Sequence, residues 1–190
     1  MHRTLKAIVC LGVLFAFANV MAQTPPAQSS PPVEPKVAKP EDVASIDAIL
    51  KALYDVISGP AGQKRDWDRM RSLFAPEAKM SATAKRRDGT VVRRSFSVEE
   101  YIAANTKAME EGGFFEKGIA NHVDQYGQIA QVFSSYESRK ALTDEKPFAR
   151  GINSFSLWND GKRWWVVGII WQGESPDNPL PEKFLKDGGK

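Results

Sequence analysis

Between Phe148 and Gly173 the chain reads FARGINSFSLWNDGKRWWVVGIIWQG: a largely alternating run, an Asp160-Gly161 turn, and a return run, Trp164–Trp171, that is apolar almost throughout. Asp-Gly between two such runs is the sequence signature of a β-hairpin. A strand in an antiparallel sheet with one wet face alternates apolar and polar side chains. The unbroken return run therefore implies a strand covered on both faces. One cover is expected to be the domain's own helices, the other a second copy of the chain.

Upstream, the period changes. Val43, Ile46, Ile49, Leu50, Leu53 and Ile57 recur at helical spacing behind Glu41 and Asp42, and Gly59-Pro60 stops the run. Asp66 is placed to cap a short helix carrying Trp67, Met70, Leu73 and Phe74, ended by Pro76. A hairpin over 79–87 and 90–96 turns at Asp88-Gly89. Ser97 with Glu100 then makes a capping box for a third helix ending at Gly112-Gly113. A second long hairpin, 114–125 and 128–140, turns at Tyr126-Gly127, and the loop 141–147 leads to the hairpin described first. The tail from Ser175 is rich in Pro and Gly, with Leu180, Phe184 and Leu185 expected to lie back on the fold.

The first 40 residues follow another logic. His2-Arg3-Thr4-Leu5-Lys6, an apolar run from Ala7 to Ala18 and Val20-Met21-Ala22 form the three-part pattern of a secretory signal peptide, residues 1–22. The expected destination is the periplasm or the exterior, and the run is short for a membrane span. Residues 23–40, rich in Pro, Ala, Gln and Ser and without aromatics, read as a disordered linker. The domain is expected over 41–174 and the tail over 175–190. Removing the signal takes Arg3 and Lys6 from a formal charge of +3 and leaves 24 basic against 23 acidic residues. That balance gives no reason to expect nucleic acid or an anionic membrane as partner. Cys10, the one cysteine, lies in the signal, so no disulfide, Cys-based metal site or Cys nucleophile is expected in the mature chain.

The element order, with Trp67…Leu73-Phe74-Ala75-Pro76, Val98–Ile102, Gly127-Gln128-Ile129-Ala130-Gln131-Val132 and Asp160–Val166, resembles the nuclear-transport-factor-2-like superfamily. That group includes ketosteroid isomerase and SnoaL-like proteins. The resemblance covers roughly residues 41–173. It implies an α+β fold, a cystatin-like roll in which a cone-shaped, curved antiparallel sheet wraps around three helices. It also implies a pocket between the concave face and the helices, and a homodimer through the outer sheet face. The isomerase branch's catalytic carboxylate and tyrosine find no matching positions here.

Alternation sorts the sheet faces. A two-residue turn at Asp160-Gly161 pairs Asn153 with Gly168 and Gly151 with Ile170. One face then carries Gly151, Asn153, Phe155, Leu157, Trp164, Val166, Gly168 and Ile170. If the loop 141–147 closes symmetrically, that face continues onto Phe133, Ser135, Glu137 and Arg139. A slip of one residue exchanges these for Val132, Ser134, Tyr136 and Ser138.

On the first register, Glu137 is the candidate catalytic carboxylate, a general acid or base beside Ser135, Asn153, Gly151 and Gly168. The alternative has Glu137 paired with Arg139 or Arg150 on a solvated or dimer-facing surface. Ser135, Tyr136, Arg139, Asn153 and His122 are the candidate ligand-binding residues. His122 is the sole histidine once the signal is gone, and strand geometry separates it from Glu137 by about 20 Å. A single histidine without cysteines argues against a transition-metal site, a carboxylate-rich site staying open, and no cofactor is expected. Three readings stay open. One is binding of a small, partly apolar ligand or a protein partner, as a homodimer. Another is SnoaL-like isomerase, lyase or hydratase chemistry by a pocket carboxylate. The third is a pure assembly module whose pocket is vestigial.

Overall fold

A computed structural model describes residues 37–188. The expected signal peptide and all but the last residues of the expected linker lie outside the described residues. The first helical run is divided in two, α1 (Pro40–Val43) and α2 (Ile46–Ile57), because Ser45 caps α2 by accepting from Ala48 N at 3.1 Å. Helix α3 (Trp67–Leu73) starts at Asp66, whose carboxylate accepts from Arg69 N at 2.9 Å. Arg69 in turn grips Asp42 through two contacts of 2.7 Å, tying α3 to α1. Helix α4 (Val98–Gly112) opens with the Ser97/Glu100 capping box and ends at Gly113, whose φ of 67° favours glycine.

Six strands follow from the alternating runs: β1 (Phe74–Lys85), β2 (Val91–Phe96), β3 (Phe115–Tyr126), β4 (Ile129–Arg139), β5 (Ala149–Asn159) and β6 (Trp164–Gly173). They form one sheet in the order β2-β1-β6-β5-β4-β3. All neighbours are antiparallel except β1 and β6, which run parallel. Strand β1 begins five residues earlier than expected. Pro76 ends no helix; it sits in the irregular stretch between Phe74 and Lys79 where pairing with β6 shifts, so its missing N–H costs no ladder bond.

The last hairpin is wider than its Asp-Gly signal suggested. Asn159 pairs with Trp164, leaving a four-residue loop in which Asp160 accepts from Lys162 N and Arg163 N at 2.8 and 2.9 Å. Further along, Ser156 pairs with Gly168 and Leu157 with Val166, so Val167 is an extra residue without a partner. This bulge inverts β6. Trp164 and Val166 face inward as expected, but beyond the bulge Ile169 and Trp171 do so, and Gly168 and Ile170 point outward.

Helices α2, α3 and α4 lie on the inner face. Ile49, Leu50, Met70 and Leu73 meet Val132, Phe155, Leu157 and Val166 there, all nearly free of solvent contact. Each such aliphatic side chain contributes about 1.5–3 kcal/mol by leaving water. The outer face of β3 and β4 is covered differently, by the C-terminal tail. Phe184 stacks on Phe133 at 5.7 Å and meets His122 edge-on at 5.0 Å. Ser135 Oγ donates to Phe184 O, His122 Nε2 to Lys186 O at 2.9 Å, and Asn121 N to Asp187 Oδ1 at 2.8 Å.

Candidate functional site

Strand β4 takes the slipped register. Ser134 pairs with Asn153, Tyr136 with Gly151 and Ser138 with Ala149. The loop 141–147 closes asymmetrically by one residue, with Phe148 N donating to Ser138 O at 2.9 Å, while Asp144 collects the amides of Lys140 and Ala141. A shift of one exchanges every side chain between faces. Ser134, Tyr136 and Ser138 consequently point inward beside Asn153, and Ser135, Glu137 and Arg139 point outward.

The expected grouping of Glu137 with Ser135 and Asn153 is therefore corrected. Glu137 accepts from Arg139 on the outer face and lies 3.0 Å from Lys117 Nζ. These cations hold its carboxyl below the usual range, Arg139 foremost. Ser135 and His122 are also on that face, beneath the tail. Of the six residues singled out, Tyr136 and Asn153 enter the cavity between sheet and helices; Glu137, Ser135, Arg139 and His122 do not.

That cavity measures about 450 Å³. Its walls are chiefly apolar: Leu53 and Ile57 of α2, Met80, Phe96, Phe155, Ile169 and Trp171 of the sheet, and Met109 of α4. Tyr101 anchors one wall, meeting both Phe96 and Trp171 edge-to-face at 6.5 and 6.1 Å. Gly151 shapes another. A Cβ on it would lie 2.4 Å from Gln172 O and 2.6 Å from the Tyr136 hydroxyl, so the glycine makes room for the tyrosine ring.

Polar groups are few and concentrated. Glu116 of β3 accepts from Ser138 Oγ at 2.8 Å and from Asn153 Nδ2 at 3.3 Å. The Asn153 amide also reaches the Tyr54 hydroxyl at 3.3 Å, which lies 2.7 Å from Ser134 Oγ. Burial pushes the Glu116 carboxyl up to about 7, although both hydrogen bonds favour its ionised form. Burial likewise raises Tyr54, to about 12, and holds Tyr101 and Tyr136 well above the usual phenol range. Among the described residues, no protein group hydrogen-bonds the Tyr101 or Tyr136 hydroxyl. The site thus offers a carboxyl that gains and loses its proton near neutrality, next to two free phenols, in an apolar enclosure.

Glu116 was not among the candidates, and its inward position depends on a second bulge. The two-residue turn is Gly127-Gln128, one residue past the expected Tyr126-Gly127, with Tyr126 paired to Ile129; counting back from it, Ala120 pairs with Ser135, but Gly118 pairs with Tyr136, which leaves Ile119 over. Without the bulge, Lys117 rather than Glu116 would oppose Ser138 and face the helices. The available signal was Gly118, since glycine inside a strand marks bulges and close approaches. Here it also admits the Tyr54 ring, with Cε2 3.2 Å from where a Cβ would stand.

No family profile matches the chain, and no curated protein matches it. Solved structures do. It is similar to a protein of unknown function with a cystatin-like fold from Nostoc punctiforme, at 13% identity, covering 73% of this chain and 94% of that one, with a TM-score of 0.51. A second cystatin-like protein, from Caulobacter vibrioides, aligns at 12% identity over 70% of this chain and 90% of its own, with a TM-score of 0.50. An NTF2-like protein of unknown function from Shewanella baltica aligns at 17% identity over 68% and 91%, with a TM-score of 0.45. The fold is therefore the cystatin-like α+β roll expected from the resemblance to nuclear-transport-factor-2-like proteins.

Proposed function

We propose that this domain binds a small, largely apolar molecule in the cavity between sheet and helices, with the polar end of that molecule hydrogen-bonded by Glu116, Tyr136 and Tyr101. The carrying observation is the cavity itself: about 450 Å³ of mostly apolar wall in which the free polar groups converge. A neutral Glu116 donates to a carbonyl or hydroxyl and leaves the remaining wall to hydrophobic contact. Octan-1-ol, titrated by calorimetry, tests this. Wild type should take up the alcohol, and Ala82→Phe, which fills the cavity from β1, should not, at unchanged melting temperature. Absence of uptake by wild type refutes the proposal.

A second reading is favoured by one observation, the Glu116 pKa near 7. A carboxyl so poised serves as general acid or base in an isomerase, lyase or hydratase acting on a carbonyl compound, with a tyrosine hydroxyl donating to the oxygen where charge develops. Glu116 takes the place first given to Glu137. Glu116→Gln should then abolish turnover of any substrate found, and Glu137→Gln should leave it intact; the reverse pattern removes this reading.

The homodimer and the export route belong to the same proposal. Trp158, Trp165, Val167 and Ile170 supply partly exposed apolar surface on the outer face of β5 and β6. The tail occupies the neighbouring β3–β4 surface, which confines a second copy to that patch. Sedimentation of wild type against Ile170→Asp checks the dimer, and a single sedimenting species at monomer mass in wild type would end it. Amino-terminal sequencing of the protein from culture fractions checks export.

A further inference from the structure

The cavity carries one feature that a purely apolar or neutral ligand leaves unused. Arg94 of β2 lines it and is at the same time exposed, so its guanidinium stands at the rim between cavity and solvent. The guanidinium lies over the ring of the inward-facing Phe96, with Cζ 4.6 Å from its centroid. Among the described residues no carboxylate lies within ion-pairing distance of it. The inner-helix arginines behave differently: Arg69 is held by Asp42, and Arg71 by Glu99 and Asp68. Glu100, close enough to Arg94 to be lowered slightly by it, is already committed to the α4 cap.

Charge along the cavity is arranged as a pair of poles. Arg94 and Glu116 are the two charged residues of its lining, and they stand on β2 and β3, the opposite edge strands of the sheet. Between them lie Phe96, Tyr101, Trp171, Ile169 and Phe155. One permanent cation at an open rim matches one negative charge on a ligand, in planar geometry suited to carboxylate. A carboxylate seated on Arg94 would stay in contact with water, so it avoids the desolvation that buried ion pairs incur.

We infer that the cavity's ligand is a small monocarboxylate with an apolar body, its carboxylate on Arg94 and a neutral polar group at its far end on Glu116. This rests on the small-molecule reading above and narrows it to a chemical class. The chemistry at the far end is complementary. A carboxyl that is protonated below about 7 adds no second negative charge there and presents a donor to the ligand's distal end.

The test compares two probes of equal length, octanoate and octan-1-ol, by calorimetry at pH 6.5 and low salt. Proteins are wild type, Arg94→Gln and Arg93→Gln; Arg93, next along β2, is an exposed arginine outside the cavity lining. Wild type should bind octanoate about tenfold tighter than octanol, as expected of an exposed charge-assisted contact worth about 1.4 kcal/mol. Arg94→Gln should abolish that preference while leaving octanol affinity unchanged, and Arg93→Gln should change neither. Octanol binding as tight as octanoate, or Arg94→Gln without effect on octanoate, overturns the carboxylate assignment and leaves the small-molecule reading standing. Uptake of neither probe by wild type overturns both.

Discussion

Replacing Glu116 by Gln keeps the shape of the side chain and removes its proton equilibrium, so it isolates the energetic consequence of burying that carboxyl. In the folded chain the group titrates near 7, against 4.5 for the free side chain. Between those pH values the unfolded chain has already released the proton and the folded chain retains it. Stability therefore falls as pH rises through this window and is level above it. A displacement from 4.5 to about 7 corresponds to about 3 kcal/mol in all, most of it lost between pH 5 and pH 8.5. Asp42, Glu99 and Glu137 are all held low by arginine partners, so they stay ionised across this range. Urea unfolding of both proteins at the two pH values gives the comparison. Wild type should lose about 2–3 kcal/mol more than Glu116→Gln on going to pH 8.5. Parallel losses, agreeing within about 0.5 kcal/mol, would mean that the carboxyl is ordinarily solvated and the reasoning about its burial is wrong.

Three further substitutions probe the surroundings of the cavity. Tyr54→Phe removes the hydroxyl beside Ser134 and Asn153 and should cost about 1–2 kcal/mol in urea unfolding; no loss would mean that water replaces these contacts freely. Gly151→Ala drives a methyl against Gln172 O and the Tyr136 hydroxyl, and should destabilise by about 2–3 kcal/mol with an altered Tyr136 environment in aromatic NMR spectra. An unchanged midpoint would show that β6 yields easily. Arg65→Ala strips donors from the carbonyls of Ile57, Gly59, Gln63 and Met109, which join the α2–α3 connection to α4, and should cost about 3 kcal/mol by thermal or urea melts. A loss below about 1 kcal/mol would make that buried guanidinium dispensable.

Element identities were legible because each rests on a local signal. Ser97 with Glu100 begins α4, Asp66 caps α3, and Gly127 and Asp160-Gly161 lie in the turns of the two hairpins they signalled. The inward set Gly151, Asn153, Phe155 and Leu157 was also legible, from alternation along β5. What alternation does not transmit is register across a connection. The one-residue asymmetry of the 141–147 loop turned Glu137 outward, and the bulges at Ile119 and Val167 brought Glu116, Ile169 and Trp171 inward. A bulge is decided by what the sheet must pack against, here the Tyr54 ring over Gly118, and that neighbour is 64 residues away in sequence. The tail's cover over β3 and β4 depends on similarly remote contacts. Tyr136 and Asn153 reached the cavity in the face of a misjudged register for different reasons, Asn153 because β5 alternates cleanly and Tyr136 because the one-residue slip carried it there.

The most direct measurement is the titration of the Glu116 carboxyl carbon by NMR, with selectively labelled glutamate and Glu116→Gln to assign the signal, in the presence and absence of octan-1-ol. A midpoint near 7 is expected in the free protein, moving upward when the alcohol displaces water from the cavity. A midpoint near 4.5, unmoved by the alcohol, would contradict it.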